Sequence, residues 1–246
     1  MKKITALAAA GFAAVTLSSA LTGCTPTTEQ AYTGPPVPPP TVWTGSPAPA
    51  TASAHGGHGG HGGSGGGPSE GATLHQYIVD NKIAEVPFKK DQPGTPKIEF
   101  PLPPGWSPAG DMTPDWAYGA IYYGDKMKPL EDSTFMYAIG SKLTGDVDPQ
   151  KVLDLAPGQL NELPGFAPSK GGPSRDKFAG YDAVSYVGTY EWDGEERSVG
   201  QETIVIPGED GLYVLQLNGE SPGGQEQAVI DAADVIRAQT KITLPS

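Results

Sequence analysis

The residue best equipped for covalent chemistry stands near the start of the chain. Cys24 is the only cysteine among 246 residues, and it closes the tetrapeptide Leu21-Thr22-Gly23-Cys24. Lys2 and Lys3 form a short basic region ahead of it, and Ile4 to Leu17 is an apolar run without a charge. That order of features is a secretory signal ending in a lipobox, not a spanning helix, which needs about 20 apolar residues. Cleavage before Cys24 is expected. The thiol would then form a thioether to a diacylglycerol, and the freed amine would take a further acyl chain such as palmitate. Two or three chains anchor a protein stably where one does not. With no second cysteine no intramolecular disulfide can form, so core packing alone must hold the folded part together.

A second set of reactive side chains follows. His55, His58 and His61 recur every third residue in HGGHGGHGG. Neutral imidazole suits Zn, Cu or Ni, and the glycines would let the segment wrap an ion. Low-complexity drift gives the same pattern, and no carboxylate or thiolate lies nearby. The three histidines are therefore candidate metal ligands without an assigned physiological metal, and no cofactor is expected.

The third set is aromatic. From Tyr181 onward Val184, Tyr186, Tyr190 and Trp192 alternate onto one strand face, with Gly188 among them. Tyr122 and Tyr137 come from two earlier aromatic runs. Such a face can receive a sugar ring or an acyl chain by stacking and apolar contact, and it can equally be ordinary core. For catalysis the sequence offers little. His75 is the one histidine after the tether, no G-x-S-x-G elbow occurs outside the glycine-rich tether, no G-x-G-x-x-G follows a strand, and the phosphate-loop and H-E-x-x-H patterns are missing. An enzyme is not expected, although the paired carboxylates of an envelope hydrolase need no local motif.

The elements that must position these residues follow from composition and period. Residues 1–23 are the signal. Residues 24–72 hold the lipid-bearing cysteine and a disordered tether of Thr, Pro, Gly, Ala, Ser and His without apolar periodicity. Within it GPPVPPP favours polyproline II, and Gly56 to Gly67 favours a random coil. Residues 73–246 are long enough for one domain with a sizeable core. Thr73 reads as an N-cap for a helix over 74–82, and Asp148 followed by Pro149 as the start of another. Residues 97–102, 117–123, 133–141, 181–192, 197–206 and 212–218 read as strands, the last three as a meander through Asp193-Gly194 and Gly208 to Gly211. Pro87 and Pro93 to Pro96 read as loop. A final helix over 222–239, capped by Ser221, and a short edge strand over 241–244 close the chain. Runs of strands flanked by helices predict an α+β fold, one antiparallel β-sheet covered by helices.

The chain carries 16 basic against 28 acidic residues, a formal net charge of −12. Nucleic-acid binding wants the opposite sign. The anchor, not electrostatics, must hold such a molecule at a membrane.

These stretches resemble the mycobacterial LpqN/LpqT lipoprotein family. The matching segments are YIVDNKIAEVPF from Tyr77, PLPPGW from Pro101, YGAIYY from Tyr118, SKLTGDVDPQKVL from Ser141, LAPGQLNELPGF from Leu155 and VIPGEDGLYVLQLNG from Val205. They span nearly the whole domain and none of the tether. The resemblance implies a PsbP-like α/β/α sandwich, exported and lipid-anchored on the extracytoplasmic side of an actinobacterial cell membrane. It implies a non-catalytic binding or accessory role, with an envelope glycolipid or envelope export and biosynthesis proteins as partners. A purely protein-binding adaptor is the other reading.

Overall fold

The computed structural model describes residues 73–124, 132–169 and 171–245. Cys24, His55, His58 and His61 lie outside the described residues, as do residues 1–72 as a whole, which the sequence reads as signal and tether.

Helix α1 (Leu74–Asp80) starts where Thr73 accepts a hydrogen bond from the Gln76 amide at 3.2 Å. Strands β1 (Ala84–Phe88), β2 (Lys97–Glu99), β3 (Trp106–Pro108), β4 (Gly119–Tyr123) and β5 (Phe135–Thr144) follow. Helix α2 (Pro149–Leu155) opens on Asp148, whose Oδ1 accepts from the amides of Gln150 and Lys151 at 2.8 and 3.3 Å, and on Pro149. This is the cap and first-position pairing that satisfies orphan amides and presets φ. A 3₁₀ segment, Ala156–Glu162, continues from it. Then come β6 (Ala167–Pro168), β7 (Ser174–Phe178), β8 (Tyr181–Trp192), β9 (Glu195–Gly208), β10 (Gly211–Pro222), α3 (Glu226–Gln239) and β11 (Lys241–Thr243).

Nine strands form one antiparallel sheet in the order β3-β4-β5-β10-β9-β8-β6, with β1 also on β5 and β7 also on β8. The long β8, β9 and β10 are the expected meander. Asp193 at φ 51° and Gly194 at φ 80° make the tight β8–β9 reversal that an Asp-Gly pair favours.

Period-two alternation gives this sheet two buried faces. On one, Leu143, Val184, Val205, Leu212 and Val214 pack under Leu74 and Ile78 of α1 and Val152, Leu153 and Leu155 of α2. On the other, Ile204, Ile206, Tyr213, Leu215 and Leu217 pack with Ala232 and Ile236 of α3. Helices therefore cover both faces, the α+β layering that the sequence predicts.

Three elements differ from the expectation, each for a local reason. Residues 84–88 are strand, not loop, because β1 pairs only with β5 and Pro87 gives up no ladder bond on an outer strand. The predicted start of the last helix at Pro222 is displaced. Pairing with β9 carries β10 as far as Pro222 opposite Arg197, Ser221 is buried inside the strand, and α3 begins at Glu226 after Gln225. Finally, β11 pairs with β2 in a separate two-stranded ribbon and does not edge the main sheet.

One side chain on β1 makes folding pH-dependent. Burial pushes the Glu85 carboxyl up from 4.5 to about 7 against a weaker lowering effect of its hydrogen bond with Ser141, and its Oε1 is buried without a partner. Its folded pKa is raised, so the native state holds the proton longer than the unfolded chain. Stability should fall as pH rises from about 4.5 to about 7 and stay low above it. Glu85→Gln should remove this loss, raising stability at pH 8 by about 1–3 kcal/mol and changing it little at pH 4. Urea midpoints of both chains at the two pH values check this, and an equal gain at both would contradict it.

Candidate ligand-binding site

The ladder register fixes which side chains meet on the sheet face that α1 and α2 cover at one end. Across four strands Tyr137 of β5, Asn218 of β10, Gln201 of β9 and Tyr186 of β8 stand in one row. The next row holds Phe135, Glu220, Val199 and Gly188, with Tyr122 of β4 beside Phe135. At about 4.8 Å per strand, Tyr137 and Tyr186 are about 14 Å apart. The register thus separates Tyr122 and Tyr137 from Tyr186 and Tyr190, with Trp192 at the far strand end.

Tyr186 and Tyr190 belong to the interior, packed with Leu160, Val199, Leu163 and Phe166. The Tyr186 hydroxyl donates to Asn161 Oδ1 at 3.3 Å, and its ring meets Phe166 edge-on at 5.3 Å. Nor does Gly188 leave room for a guest. A Cβ there would lie 2.5 Å from the Ala167 carbonyl oxygen and 2.6 Å from the Phe166 ring, so the chain's own LPGF segment fills the gap. Gly188→Val should cost about 3 kcal/mol or more, because backbone and a wedged ring must both move. A melting temperature unchanged within 2 °C would contradict that packing. Trp192, on the same face at the strand end, is 36% exposed next to the Asp193-Gly194 turn, apart from this cluster.

Tyr122 and Tyr137 lie at the opposite side of the sheet and are half-buried. There they join two residues that sequence reasoning did not single out as binders. Trp116, 37% exposed, meets the Tyr137 ring edge-on at 5.3 Å, and Phe135 stacks on Tyr137 at 6.1 Å with an interplanar angle of 19°. Trp116, Tyr137, Phe135 and Tyr122 make a shelf of aromatic surface.

Polar groups border the shelf. Tyr190 donates to Glu220 Oε2 at 2.6 Å, and Arg197 Nε stands 3.9 Å from the same oxygen while its Nη2 donates to the Ser133 carbonyl at 3.0 Å. Burial raises the Glu220 pKa, and the Tyr190 hydrogen bond and Arg197 charge oppose that rise. Burial also pushes the Tyr137 hydroxyl well up, with the Glu220 charge adding to it. Both phenols here are neutral donors at physiological pH. Behind them Gln159 of the 3₁₀ segment accepts from Gln201 and Gln216 at 3.2 and 2.7 Å, and Gln201 also donates to Asn218 at 3.3 Å. Gln159 Nε2 and Thr203 Oγ1 are buried without a hydrogen-bond partner. The half-exposed rings suit the sugar or acyl part of an amphiphile, while the carboxamides behind them are buried and bonded to one another.

Among the described residues no group of three or more His, Cys, Asp or Glu side chains is placed to hold a metal ion. His75 is exposed on α1. No helix among the described residues is long and apolar enough to cross a membrane.

The family model described as "Probable lipoprotein LpqN" matches residues 70–243. The chain belongs to the LpqN lipoprotein family. Lipoprotein LpqN of Mycobacterium tuberculosis is 42% identical over 173 residues, covering 70% of this chain and 74% of that protein. A crystal structure of LpqN, described as involved in cell envelope biogenesis of that organism, superposes with a TM-score of 0.63 at 42% identity. It covers 70% of this chain and 97% of the solved one. The LpqN-family part is the folded domain, so the shelf lies inside the shared region and the histidine repeat lies outside it.

Proposed function

We propose that this LpqN-family protein is a non-catalytic binding or accessory module of the cell envelope. It is held on the extracytoplasmic side of the membrane through acyl chains on Cys24, and its aromatic shelf takes the amphiphilic part of an envelope glycolipid. The observation that carries this reading is the partly exposed ladder of Trp116, Tyr137, Phe135 and Tyr122 bordered by Glu220 and the carboxamide row. Ring faces stack on sugars and acyl chains at once, and a bordering acceptor orients hydroxyls. The part that the M. tuberculosis relative plays in envelope biogenesis fits a protein that handles such amphiphiles.

A titration with a trehalose monoester, followed by tryptophan fluorescence or calorimetry, tests the shelf. Saturable binding should weaken about five- to thirtyfold in Trp116→Ala, since losing one stacking partner is worth about 1–2 kcal/mol. Equal binding by both chains would remove the shelf from the account.

One observation favours a second reading, a purely protein-binding adaptor. The β8–β9 hairpin ends in exposed Glu191, Asp193, Glu195 and Glu196 around Trp192, a surface that would attract a basic partner. Envelope crosslinks lost on charge reversal of these four, with no lipid binding, would favour it.

A further inference from the structure

Helix α3 covers its face of the sheet only in part. Beneath it Leu217, Gly219, Met136 and Ala138 of β10 and β5 are buried. On the neighbouring hairpin half of β8 and β9 the same face is open. There Val187 pairs with Gly200, Thr189 with Ser198 and Glu191 with Glu196, and all six are exposed or half-buried. Gly188, Tyr190, Arg197 and Val199, which alternate with them, are buried on the opposite face. We propose that this open strip docks a basic amphipathic helix of a partner protein, laid beside α3. The inference deepens the adaptor reading, on which it rests, and is independent of the shelf, which lies on the other face of the sheet.

The strip has the dimensions of one helix. Its midline lies two strand spacings from that of β10 and β5, about 10 Å, and packed helices stand about 8–10 Å apart. From Ser185 to Glu191 it runs about 20 Å, close to four helical turns. One row of the sheet shows what α3 does and where it stops. Met136, Gly219, Gly200 and Val187 stand side by side. At Gly219 the position of a Cβ is already taken by Val229 of α3, 2.6 Å away. At Gly200, among the described residues, such a Cβ meets only Val187 Cγ1, at 3.3 Å. A side chain from a second helix therefore has at Gly200 the same seat that Val229 has at Gly219.

The rim selects the occupant. Arg237 Nη2 stands 2.8 Å from Glu202 Oε1 on β9, which turns the flank of α3 that carries Arg237 toward the strip. Ile230, Glu226 and Asp234 share that flank at helical spacing. Ile230, 51% exposed, and Val187, 49% exposed, supply the apolar contact. Glu191 and Glu196 close the hairpin end, and with Glu226 and Asp234 they are exposed. Arg237 is taken up by Glu202 and, at 3.6 Å, by Asp176. A helix with an apolar stripe between lysines or arginines meets matching groups here. A second copy of this chain, with a formal charge of −12, brings the same sign.

The test titrates the full chain carrying Cys24→Ser into a fluorescein-labelled helical peptide of about 16 residues, with a leucine and alanine stripe flanked by lysines, and reads anisotropy. Saturable binding is expected, weakened at least tenfold by Val187→Lys with Ile230→Lys, two exposed positions whose change leaves the core intact. Val79→Lys with Val86→Lys alters the net charge equally at exposed positions elsewhere and should change affinity less than twofold. Trp116→Ala should leave the peptide affinity unchanged. Absence of saturable binding, or equal losses in the two lysine pairs, would overturn the strip. Binding lost on Asp193→Lys with Glu195→Lys but kept in the Val187 and Ile230 variant would also overturn it, while leaving the adaptor reading at the hairpin tip. A dimer in sedimentation velocity that dissolves on Val187→Lys with Ile230→Lys would overturn it in favour of a second copy.

Discussion

Cys24→Ser is expected to move the protein from the detergent phase of a Triton-type partition to the aqueous phase and to abolish incorporation of a labelled fatty acid. Serine has no thiol, so no thioether to a diacylglycerol can form and the processing that follows acylation stops. Each buried methylene contributes about 0.8 kcal/mol, which leaves a single chain marginal and makes two or three effectively permanent. The described residues contain no helix able to cross a membrane, and the net charge of −12 repels anionic headgroups. The uncut signal has only Ile4 to Leu17 as its apolar run, too short to span. Retention in the detergent phase with label still incorporated would contradict attachment at this sulfur.

Glu220→Ala is expected to destabilise the domain by about 3 kcal/mol, a fall in Tm of about 6–12 °C for a domain of this size. Arg197 is 4% exposed, and Glu220 is the carboxylate beside it. Removing the acid leaves a guanidinium in low dielectric with less compensation, and it takes away the acceptor of the Tyr190 hydroxyl at 2.6 Å. Glu220→Gln separates the two effects, since an amide oxygen still accepts from Tyr190 while the charge is gone. It should lose less than the alanine variant. A double-mutant cycle of Glu220→Gln with Arg197→Gln should show coupling of at least about 1 kcal/mol. Independent, additive losses would mean that the two groups do not hold one another.

The layered fold was legible in the chain wherever periodicity was long and turns were chemically marked. Tyr181–Trp192 alternates cleanly, Asp193-Gly194 supplies the positive φ values, and Asp148-Pro149 announces α2. Shorter strands escaped. Those spanning Trp106–Pro108 and Ser174–Phe178 are fixed by their partners in the sheet and carry too few residues for a period to show. Ser221-Pro222 mimics a helix start, and only the partner strand opposite it makes it the end of β10.

The candidate site was half visible for a related reason. Alternation correctly put Tyr186, Gly188 and Tyr190 on one face, but it could not say that Phe166, brought back by the LPGF turn, would fill the space beside the glycine. Trp116 lies in an irregular stretch with no period, so its contact with Tyr137 exists only in the folded chain. Glu220 is one of 28 acidic residues, and nothing local distinguishes it until the register sets it beside Phe135 and near Arg197. A hint was present: Phe135 and Tyr137 share a face of a strand whose partner in the sheet carries Asn218 and Glu220 at the matching spacing.

Native mass spectrometry of the protein extracted gently from its own envelope tests the central claim most directly. The account predicts, beyond the covalent acyl mass on Cys24, a second population carrying a dissociable glycolipid, strongly reduced in the Trp116→Ala protein. A spectrum with no dissociable lipid, from a sample that also fails to bind added trehalose monoester, would contradict it.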